Sequence, residues 1–266
     1  MTIKETTTHL VRPLNETSAL IVGGTAGIGL HSALALARAG VPNIVLVGRS
    51  EERGRTAQEA FTDEGLAKPA YLQGDASQPD KALDIVARAC AYLPSIDVLV
   101  TSVAPDVRPE LFKNIETADI ARILNELALP AMFMASAVLP HMRAQGGGTI
   151  VNVASDAAKT ATPGESVIGA AKAAMVMFTR TIAIEEKRHG IRANALTPSL
   201  VHGTGSTERI TSDGFSAKLF AKAAQQAALG VPTAEDLGAL TVFLCSPAAA
   251  KLTGQAISVN GGISAA

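Results

Sequence analysis

Short apolar segments alternate with longer helical patterns along almost the whole chain, and this alternation restricts the possible folds more than any other feature. The apolar segments are residues 19–22, 43–47, 70–72, 96–100, 149–153, 191–196 and 256–259. Apolar runs that are bounded by turns and lack polar alternation are typical of strands buried on both faces. The sequence therefore predicts a single α/β domain, in which helices cover both faces of a doubly wound, seven-stranded parallel sheet.

Two segments lie outside this regular alternation. Residues 1–17 are a polar N-terminal extension, and residues 18–266 contain the predicted domain. Residues 200–226 are polar and include Gly203, Gly205 and Gly214. Mobile segments of this kind often close over a bound ligand, so we predict a substrate lid at about 200–226.

The charge balance argues against two classes of partner. The chain has 23 Lys and Arg residues against 24 Asp and Glu residues, for a net charge of −1. Binding to nucleic acid or to an anionic membrane by bulk charge is therefore not expected. The most apolar stretch, residues 127–140, is interrupted by Pro130 and Ser136 and is predicted to be too short to span a bilayer.

The cysteine content and the N-terminus indicate a cytoplasmic protein. Cys90 and Cys245 are too few for a disulfide framework or a zinc site, so no metal site is predicted. Both are expected to be small, buried apolar side chains. Residues 1–10 lack the apolar run of a signal peptide and the Arg-rich character of a transit peptide.

Glycines are concentrated in the turn that joins the first apolar segment to the first helical pattern. The residues that we expect to bind a cofactor there are Gly23, Thr25, Ala26, Gly27, Ile28 and Gly29. Glycines allow the backbone to approach a pyrophosphate closely, and the helix N-terminus offers free N–H groups and a partial positive charge. The turn therefore predicts a dinucleotide cofactor.

The end of the second strand indicates which dinucleotide is bound. A carboxylate at this point would bind a ribose 2′-hydroxyl, but the chain has Arg49 and Ser50 instead. A cation here pairs with a 2′-phosphate, so NADP(H) is predicted over NAD(H). Asp75, after the third strand, is expected to accept a hydrogen bond from the adenine amino group.

These motifs together resemble the short-chain dehydrogenase/reductase family over residues 18–263. Besides the glycine turn and Asp75, the matching segments are residues 149–155, 169–174, 191–198, 253–255 and 259–262. The resemblance implies a Rossmann-type fold and an enzyme acting on a small organic molecule. It also implies catalytic roles for Ser155 and Lys172. The further cofactor contacts that it implies are Ala76, Lys172, Pro198 and Thr204.

The active-site tyrosine of that family has no counterpart here. The family pairs a serine with Tyr-x-x-x-Lys, and the spacing from Lys172 assigns the tyrosine position to Ile168. The tyrosines of the chain are Tyr71 and Tyr92, so no shift of the alignment restores the motif. Because isoleucine has no proton to give, loss of this general acid would cost roughly 10²–10⁴ in rate unless another group replaces it.

Other family positions also differ. The asparagine expected in the long helix falls at Glu126 or Leu127. Thr-Ser-Val-Ala at residues 101–104 stands in place of Asn-Asn-Ala-Gly, and Ser199 stands in place of a glycine. The resemblance therefore predicts a divergent member with an altered catalytic site.

Several residues are candidates for the missing acid. Lys172 can serve if an apolar, dry environment lowers its pKa. Glu165 and Asp156 lie between the serine strand and the lysine helix, and His202 lies in the loop expected to cover the substrate. A cationic substrate such as an iminium ion would need only hydride, stabilised by a carboxylate from Glu165, Asp156 or Asp106.

Three functions remain open at this stage. The first is an NADP(H)-dependent reductase with an altered acid, acting on a small organic molecule such as an imine or a biosynthetic intermediate. The second is a cofactor-binding enzyme that performs cyclisation or cycloaddition, dehydration or isomerisation, and the third is a catalytically silent NADP(H) sensor. Small residues and methionines around Lys172, including Met175 and Met177, predict helix pairing in a homodimer or homotetramer.

Overall fold

The computed structural model describes residues 11–104, 106–212 and 214–265, and its centre is one parallel sheet. The strands are β1 (Ser18–Val22), β2 (Asn43–Gly48), β3 (Ala70–Gln73), β4 (Val98–Thr101), β5 (Gly148–Val153), β6 (Ile191–Leu196) and β7 (Ala256–Ile257). Their order is β3-β2-β1-β4-β5-β6-β7, and every neighbouring pair is parallel. The predicted fold class is confirmed.

Helices cover both faces of this sheet. They are α1 (Gly27–Arg38), α2 (Glu51–Asp63), α3 (Pro79–Ala89), α4 (Thr117–Gln145), α5 (Ser166–Glu186), α6 (Gly205–Thr211), α7 (Gly214–Gln226) and α8 (Ala234–Cys245). One core contains Leu20 with apolar residues of α3, α4 and α5, and the other contains Ile21 with apolar residues of α1, α2 and α8. Successive residues of a strand point to opposite faces, which is why β1 is apolar at four consecutive positions, 19–22.

The strand order reverses between β1 and β4, which pair with each other in the middle of the sheet. The chain passes from β1 outward to β2 and β3, and then returns to β4 on the other side of β1. Open parallel sheets bind ligands in the crevice that such a reversal leaves at the carboxyl ends of the strands. The fold therefore places a site beside the turn that follows β1.

Some boundaries differ from the sequence-based expectation. The last strand ends at Ile257 instead of Val259, because the Asn260 side-chain amide donates to the backbone and hydroxyl of Ser264 and the chain turns away. Strand β4 begins only at Val98, since the preceding Asp97 carboxylate accepts the Ser18 N–H.

Residues 127–140 were predicted to be too short to span a bilayer, but the helix that contains them is 29 residues long. A second helix is also long and apolar. By length and composition, Thr117–Gln145 and Ser166–His189 are each capable of crossing a membrane. In the folded domain, 56% and 44% of their most apolar stretches are buried. They pack on each other and on the sheet, and helices of a protein core have this composition for that reason.

The two cysteines differ in environment. Cys245 is buried at the end of α8, as expected, and burial raises the pKa of its thiol to about 12. The expectation for Cys90 is wrong, because this residue is exposed at the C-terminal cap of α3, one position beyond the buried Ala89. The N-terminal extension is described from residue 11 onward, and there Arg12 pairs with Asp97 at 2.9 Å.

Candidate active site

A cavity of about 730 Å³ opens at the carboxyl edge of the sheet, at the strand-order reversal. Its walls come from the turns that follow β1 to β6, together with parts of α4, α5 and α6. The sequence-predicted residues that line it are Gly23, Thr25, Ala26, Gly27, Ile28, Arg49, Ser50, Asp75, Ala76, Ser155, Glu165, Lys172, Pro198 and Thr204. Most of the site candidates are thus brought together in one cleft.

The glycine turn forms the floor at one end of the cleft. Gly23 has φ 75°, and a Cβ at this position would lie 2.1 Å from the Ser102 carbonyl oxygen. Gly29 does not line the cavity, but a Cβ there would lie 2.2 Å from the Gly23 carbonyl oxygen. The turn therefore requires glycine at both positions so that strand, turn and helix can pack backbone to backbone.

The first turn of α1 faces this part of the cavity. Ala26 occupies the N-cap and supplies no side-chain hydrogen bond, while Gly27 and Ile28 line the wall. Uncapped N–H groups and the positive end of the helix dipole suit a phosphate anion. The residues present thus fit the pyrophosphate of a dinucleotide. Thr204 of the opposite loop lies close by, since a Cβ on Gly27 would be 3.4 Å from its methyl group.

The turn after β2 carries the positive charge of this end. The Tyr71 hydroxyl lies 2.9 Å from the Gly48 carbonyl oxygen and 2.8 Å from that of Ser50, which ties the turn to β3. Arg49 is exposed and lines the cavity, and Arg53, which the sequence reasoning missed, lines it as well. Arg53 lies in the first turn of α2, where its backbone N–H donates to the Ser50 hydroxyl that caps the helix.

Asp75 lies beyond this turn and is held in the ionised state. Partial burial opposes ionisation, but hydrogen bonds from Ser77 and the charge of Arg49 keep the pKa of Asp75 below its usual value. Its Oδ1 atom accepts the Ser77 N–H at 3.0 Å. The carboxylate is therefore a fixed acceptor on the wall of the cavity.

The other end of the cleft is formed by the end of β5 and the start of α5. The Ser155 hydroxyl oxygen accepts the Ala157 N–H at 3.3 Å, so Ser155 caps a short 3₁₀-helix, Asp156–Ala158. Glycine at position 169 lets α5 pack closely on this turn, because a Cβ there would lie 2.8 Å from the Ala157 carbonyl oxygen. This contact fixes the distance between the serine turn and the face of α5.

Glu165, at the N-cap of α5, lines the cavity together with Ile168 and Lys172 of that helix. Ile168 and Lys172 follow Glu165 by three and seven residues, a spacing that aligns side chains along one side of a helix. Lys172 is only 6% exposed, and its Nζ atom donates to the Val153 carbonyl oxygen at 3.1 Å. Burial lowers the pKa of Lys172 to about 8.

Glu165 immediately precedes α5 and is the most strongly perturbed carboxyl of the cleft. Gly164, with φ 87°, turns the chain into the helix and directs Glu165 to the cavity wall. Burial raises the pKa of Glu165 to about 7, and the negative charge of Asp156 adds to the shift. Near neutral pH this side chain is therefore both a proton donor and a proton acceptor.

Three other candidate acids do not line the cavity. Asp156 is buried and accepts a hydrogen bond from the Ser264 hydroxyl, so it faces the C-terminal segment. His202 is exposed, and its backbone N–H donates to Pro232. The Asp106 side chain is 84% exposed and pairs with Arg209 at 3.4 Å.

The tyrosines lie away from the reacting end. Tyr71 is bound to the turn after β2, and the exposed Tyr92 lies beyond the end of α3. Ile168 lines the cavity between Glu165 and Lys172. Within the described ranges, no group of three or more His, Cys, Asp or Glu residues is arranged to hold a metal ion.

Two further charged residues of the reacting end were not among the predicted sites. Glu126 of α4 and Arg209 of α6 both line the cavity. The sequence marked Glu126 only as a position where an expected asparagine is missing. The signal in the sequence that points to Glu126 is a carboxylate at a position where the family resemblance leads one to expect an amide.

Comparison with known proteins assigns the family. The family model for enoyl-(acyl carrier protein) reductase matches residues 23–264, from the glycine turn to the C-terminal segment. The chain is a short-chain dehydrogenase/reductase. As a member of this family it is an oxidoreductase.

Relatives match over almost their full lengths. Gluconate 5-dehydrogenase of Gluconobacter oxydans is 32% identical over 250 residues, which cover 94% of this chain and 95% of the relative. The short-chain reductase protein NovJ of Streptomyces niveus is 31% identical and covers 98% and 99%. A crystal structure of gluconate 5-dehydrogenase from Burkholderia cenocepacia, in complex with NADP and tartrate, superposes on this short-chain dehydrogenase/reductase with a TM-score of 0.83 at 29% identity, covering 93% and 95%.

Proposed function

We propose that this short-chain dehydrogenase/reductase is an NADP(H)-dependent reductase of a small carbonyl or imine compound and that Glu165 is its proton donor. The observation that carries the proposal is the position of Glu165. It is a partly buried carboxyl with a pKa of about 7, and it lines the same cavity wall as Ile168 and Lys172. The tyrosine position of the family is apolar here, and a carboxyl that is partly protonated near neutral pH lies one helical turn away.

The side chains divide the work of reduction. NADPH, when bound, supplies the hydride. Protonated Glu165 donates its proton to the carbonyl oxygen or imine nitrogen and is left as a carboxylate. With a carbonyl substrate, the Ser155 hydroxyl donates a hydrogen bond to the oxygen, which stabilises the negative charge that develops there. Lys172, buried beside the end of β5, is placed to bind the hydroxyls of the nicotinamide ribose.

The preference for NADP(H) follows from the turn after β2. Arg49 and Arg53 both line the cavity there, and residues 47–50 contain no carboxylate. Two guanidinium groups favour a phosphate monoester over a hydroxyl, because the phosphate carries negative charge and accepts paired hydrogen bonds from a guanidinium. We therefore expect NADPH to bind more tightly than NADH.

Cofactor consumption tests the proposal. Purified protein is incubated with NADPH and a panel of cyclic ketones and cyclic imines, and NADPH oxidation is compared with product formation. A reductase consumes one NADPH for each product molecule. Product formation with bound but unchanged cofactor would indicate cyclisation, dehydration or isomerisation instead. Cofactor binding without product would indicate a sensor, and either result overturns the proposal.

We also propose that the enzyme is a cytoplasmic homodimer or homotetramer that binds neither membrane nor nucleic acid. Met177 and Ile184 are 59% and 60% exposed and lie seven residues apart on one face of α5. An apolar stripe of this kind favours burial against a second copy. Light scattering that gives a monomeric mass at micromolar concentration would contradict this assembly.

The segment at about 200–226 is proposed to act as the substrate lid. Ser206, Thr207, Arg209 and Ile210, all on α6, line the cavity opposite α5. The Thr204 hydroxyl caps this helix by accepting the Thr207 N–H at 3.2 Å. Slower hydrogen exchange across α6 after addition of NADPH would support closure of the lid.

A further inference from the structure

A carboxylate that no proposed step uses lines the cavity. Glu126 belongs to α4 and lines the reacting end of the cleft, and its side chain is 31% exposed. The same cavity is lined by apolar residues, among them Val107, Pro109, Leu127, Pro130, Ile168 and Ile210. A charge in such surroundings interacts more strongly with a ligand charge than it would in water.

The ion pair that Glu126 forms with Arg122 is weak, so the carboxylate can bind a ligand instead. Arg122, one turn earlier on α4, approaches Glu126 at 3.4 Å but pairs more closely with Asp119, at 2.9 Å. Arg122 does not line the cavity. Exposed ion pairs at this helical spacing are weak, so the carboxylate exchanges this partner easily for a cation inside the cleft.

The cations of the reacting end are engaged elsewhere. Arg209 pairs with Asp106 at 3.4 Å and donates to the Ser206 hydroxyl at 3.2 Å. Lys172 donates to the Val153 carbonyl oxygen at the base of the cleft. Glu165, the second carboxyl of this wall, adds negative charge whenever it has released its proton. Glu126 is therefore a carboxylate of this wall whose own cationic partner, Arg122, lies outside the cavity.

We propose that Glu126 is a specificity-determining residue that selects substrates carrying a positive charge, namely iminium ions. The inference rests on the proposed reductase function and names its substrate class. For an imine, Glu165 transfers its proton to nitrogen, and the resulting iminium cation is stabilised by the carboxylates of Glu126 and Glu165. Hydride then adds to carbon, and the C=N bond becomes the C–N bond of a neutral amine, which takes a proton from water.

A matched pair of substrates tests the selection. The holoenzyme with NADPH is assayed on 2-methyl-1-pyrroline, which is cationic when protonated, and on 2-methylcyclopentanone, which has a similar shape and stays neutral. Glu126→Gln is expected to lower kcat/KM for the imine about tenfold, the effect of one lost charged hydrogen bond, and to leave the ketone within about twofold. Glu116→Gln, which removes the same charge from the N-cap of α4, is expected to change neither.

A binding measurement separates this inference from the reductase proposal. Pyrrolidine, a cation at neutral pH, and cyclopentanol, a neutral analogue, are titrated into the NADP⁺ complex by calorimetry. Glu126→Gln is expected to weaken pyrrolidine binding about tenfold and leave cyclopentanol unchanged, and Glu126→Asp is expected to retain part of the preference.

The outcomes are distinct. If pyrrolidine binds through Glu126 but neither substrate is reduced, the cation site stands and the reductase proposal fails. If both substrates are reduced and Glu126→Gln changes them equally or not at all, the reductase stands and the cation site is overturned. An unchanged melting temperature and NADPH affinity in each variant show that the fold and cofactor site are intact.

Discussion

The two ends of the cleft are built in different ways. The phosphate end is made of backbone: Gly23 and Gly29 pack without side chains, and the first turn of α1 offers its N–H groups. The reacting end is made of side chains that reach the cavity from separate helices, with Glu126 on α4, Glu165 before α5 and Arg209 on α6. Backbone geometry thus shapes the end that we propose for the cofactor phosphates, whereas side chains shape the end where we propose the chemistry.

The largest expected effect is at the reacting end. Glu165→Gln keeps the shape of the side chain but removes its proton, so kcat/KM for ketone reduction is expected to fall roughly 10²–10⁴-fold. The affinity for NADPH, measured by fluorescence titration, is expected to stay within about twofold, since the phosphate end is untouched. A variant that reduces ketones at the normal rate would show that another group supplies the proton.

The pH dependence of kcat/KM in the unsubstituted enzyme tests the same role of Glu165. Glu165 donates only in its protonated form, and its pKa is about 7. Values of kcat/KM for a ketone should therefore be constant below this pH and fall as the pH rises through it. An alkaline limb that persists unchanged in Glu165→Gln would assign the titration to a different residue, such as Lys172 with its pKa of about 8.

At the phosphate end, Gly29→Ala is expected to have the next largest effect. The new Cβ would lie 2.2 Å from the Gly23 carbonyl oxygen, so the turn must move apart from α1. We expect about tenfold weaker NADPH binding and a loss of about 1–3 kcal/mol in the free energy of unfolding. Gly205→Ala is the matched control, because a Cβ there meets only Arg209 Nη1, at 3.6 Å, and should leave both quantities nearly unchanged.

An effect on NADPH binding alone, without the loss of stability, is expected where the phosphate end meets the adenosine ribose. Arg49→Ala removes one of the two guanidinium groups that line the cavity after β2. NADPH is expected to bind about tenfold more weakly, whereas NADH affinity should change by less than about twofold. Equal losses for both cofactors, measured by titration, would mean that Arg49 does not read the 2′-phosphate.

The same contrast explains what the sequence was able to predict. The glycine turn is encoded by neighbouring residues, and so is the line of Glu165, Ile168 and Lys172 along α5. Strand type and order of appearance followed from apolar runs, while the early end of β7 depends on Asn260 and Ser264 beyond the strand. Features that depend on residues close together in the sequence could therefore be predicted.

Features that depend on distant packing were not. Glu126 reaches the cavity because the first half of α4 packs on the start of α5, where Leu127 and Val167 share an apolar cluster. Asp156 follows Ser155 directly, yet it turns away from the cleft because the Ser264 hydroxyl, 108 residues later, binds its carboxylate. Neither the approach of two helices nor a bond to the C-terminal segment is visible in local sequence.

Asp156 provides the smallest expected effect and separates two roles for this residue. Its negative charge is the lesser of the two causes that raise the pKa of Glu165, and burial is the greater. Asp156→Asn removes the charge while its amide oxygen still accepts the Ser264 hydroxyl. The alkaline limb of the ketone-reduction profile should therefore move to lower pH by less than about one unit, because removing a like charge favours the Glu165 carboxylate.

The plateau of that profile decides between positioning and catalysis. At low pH Glu165 is protonated whether or not Asp156 carries a charge, so the limiting kcat/KM of Asp156→Asn should match that of the unsubstituted enzyme. A plateau lowered a hundredfold would instead identify Asp156 as a catalytic acid, which would require its buried carboxyl to leave Ser264 and enter the cleft. Because the C-terminal segment holds Asp156 outside the cavity wall, we expect the shift of the limb and not the loss of the plateau.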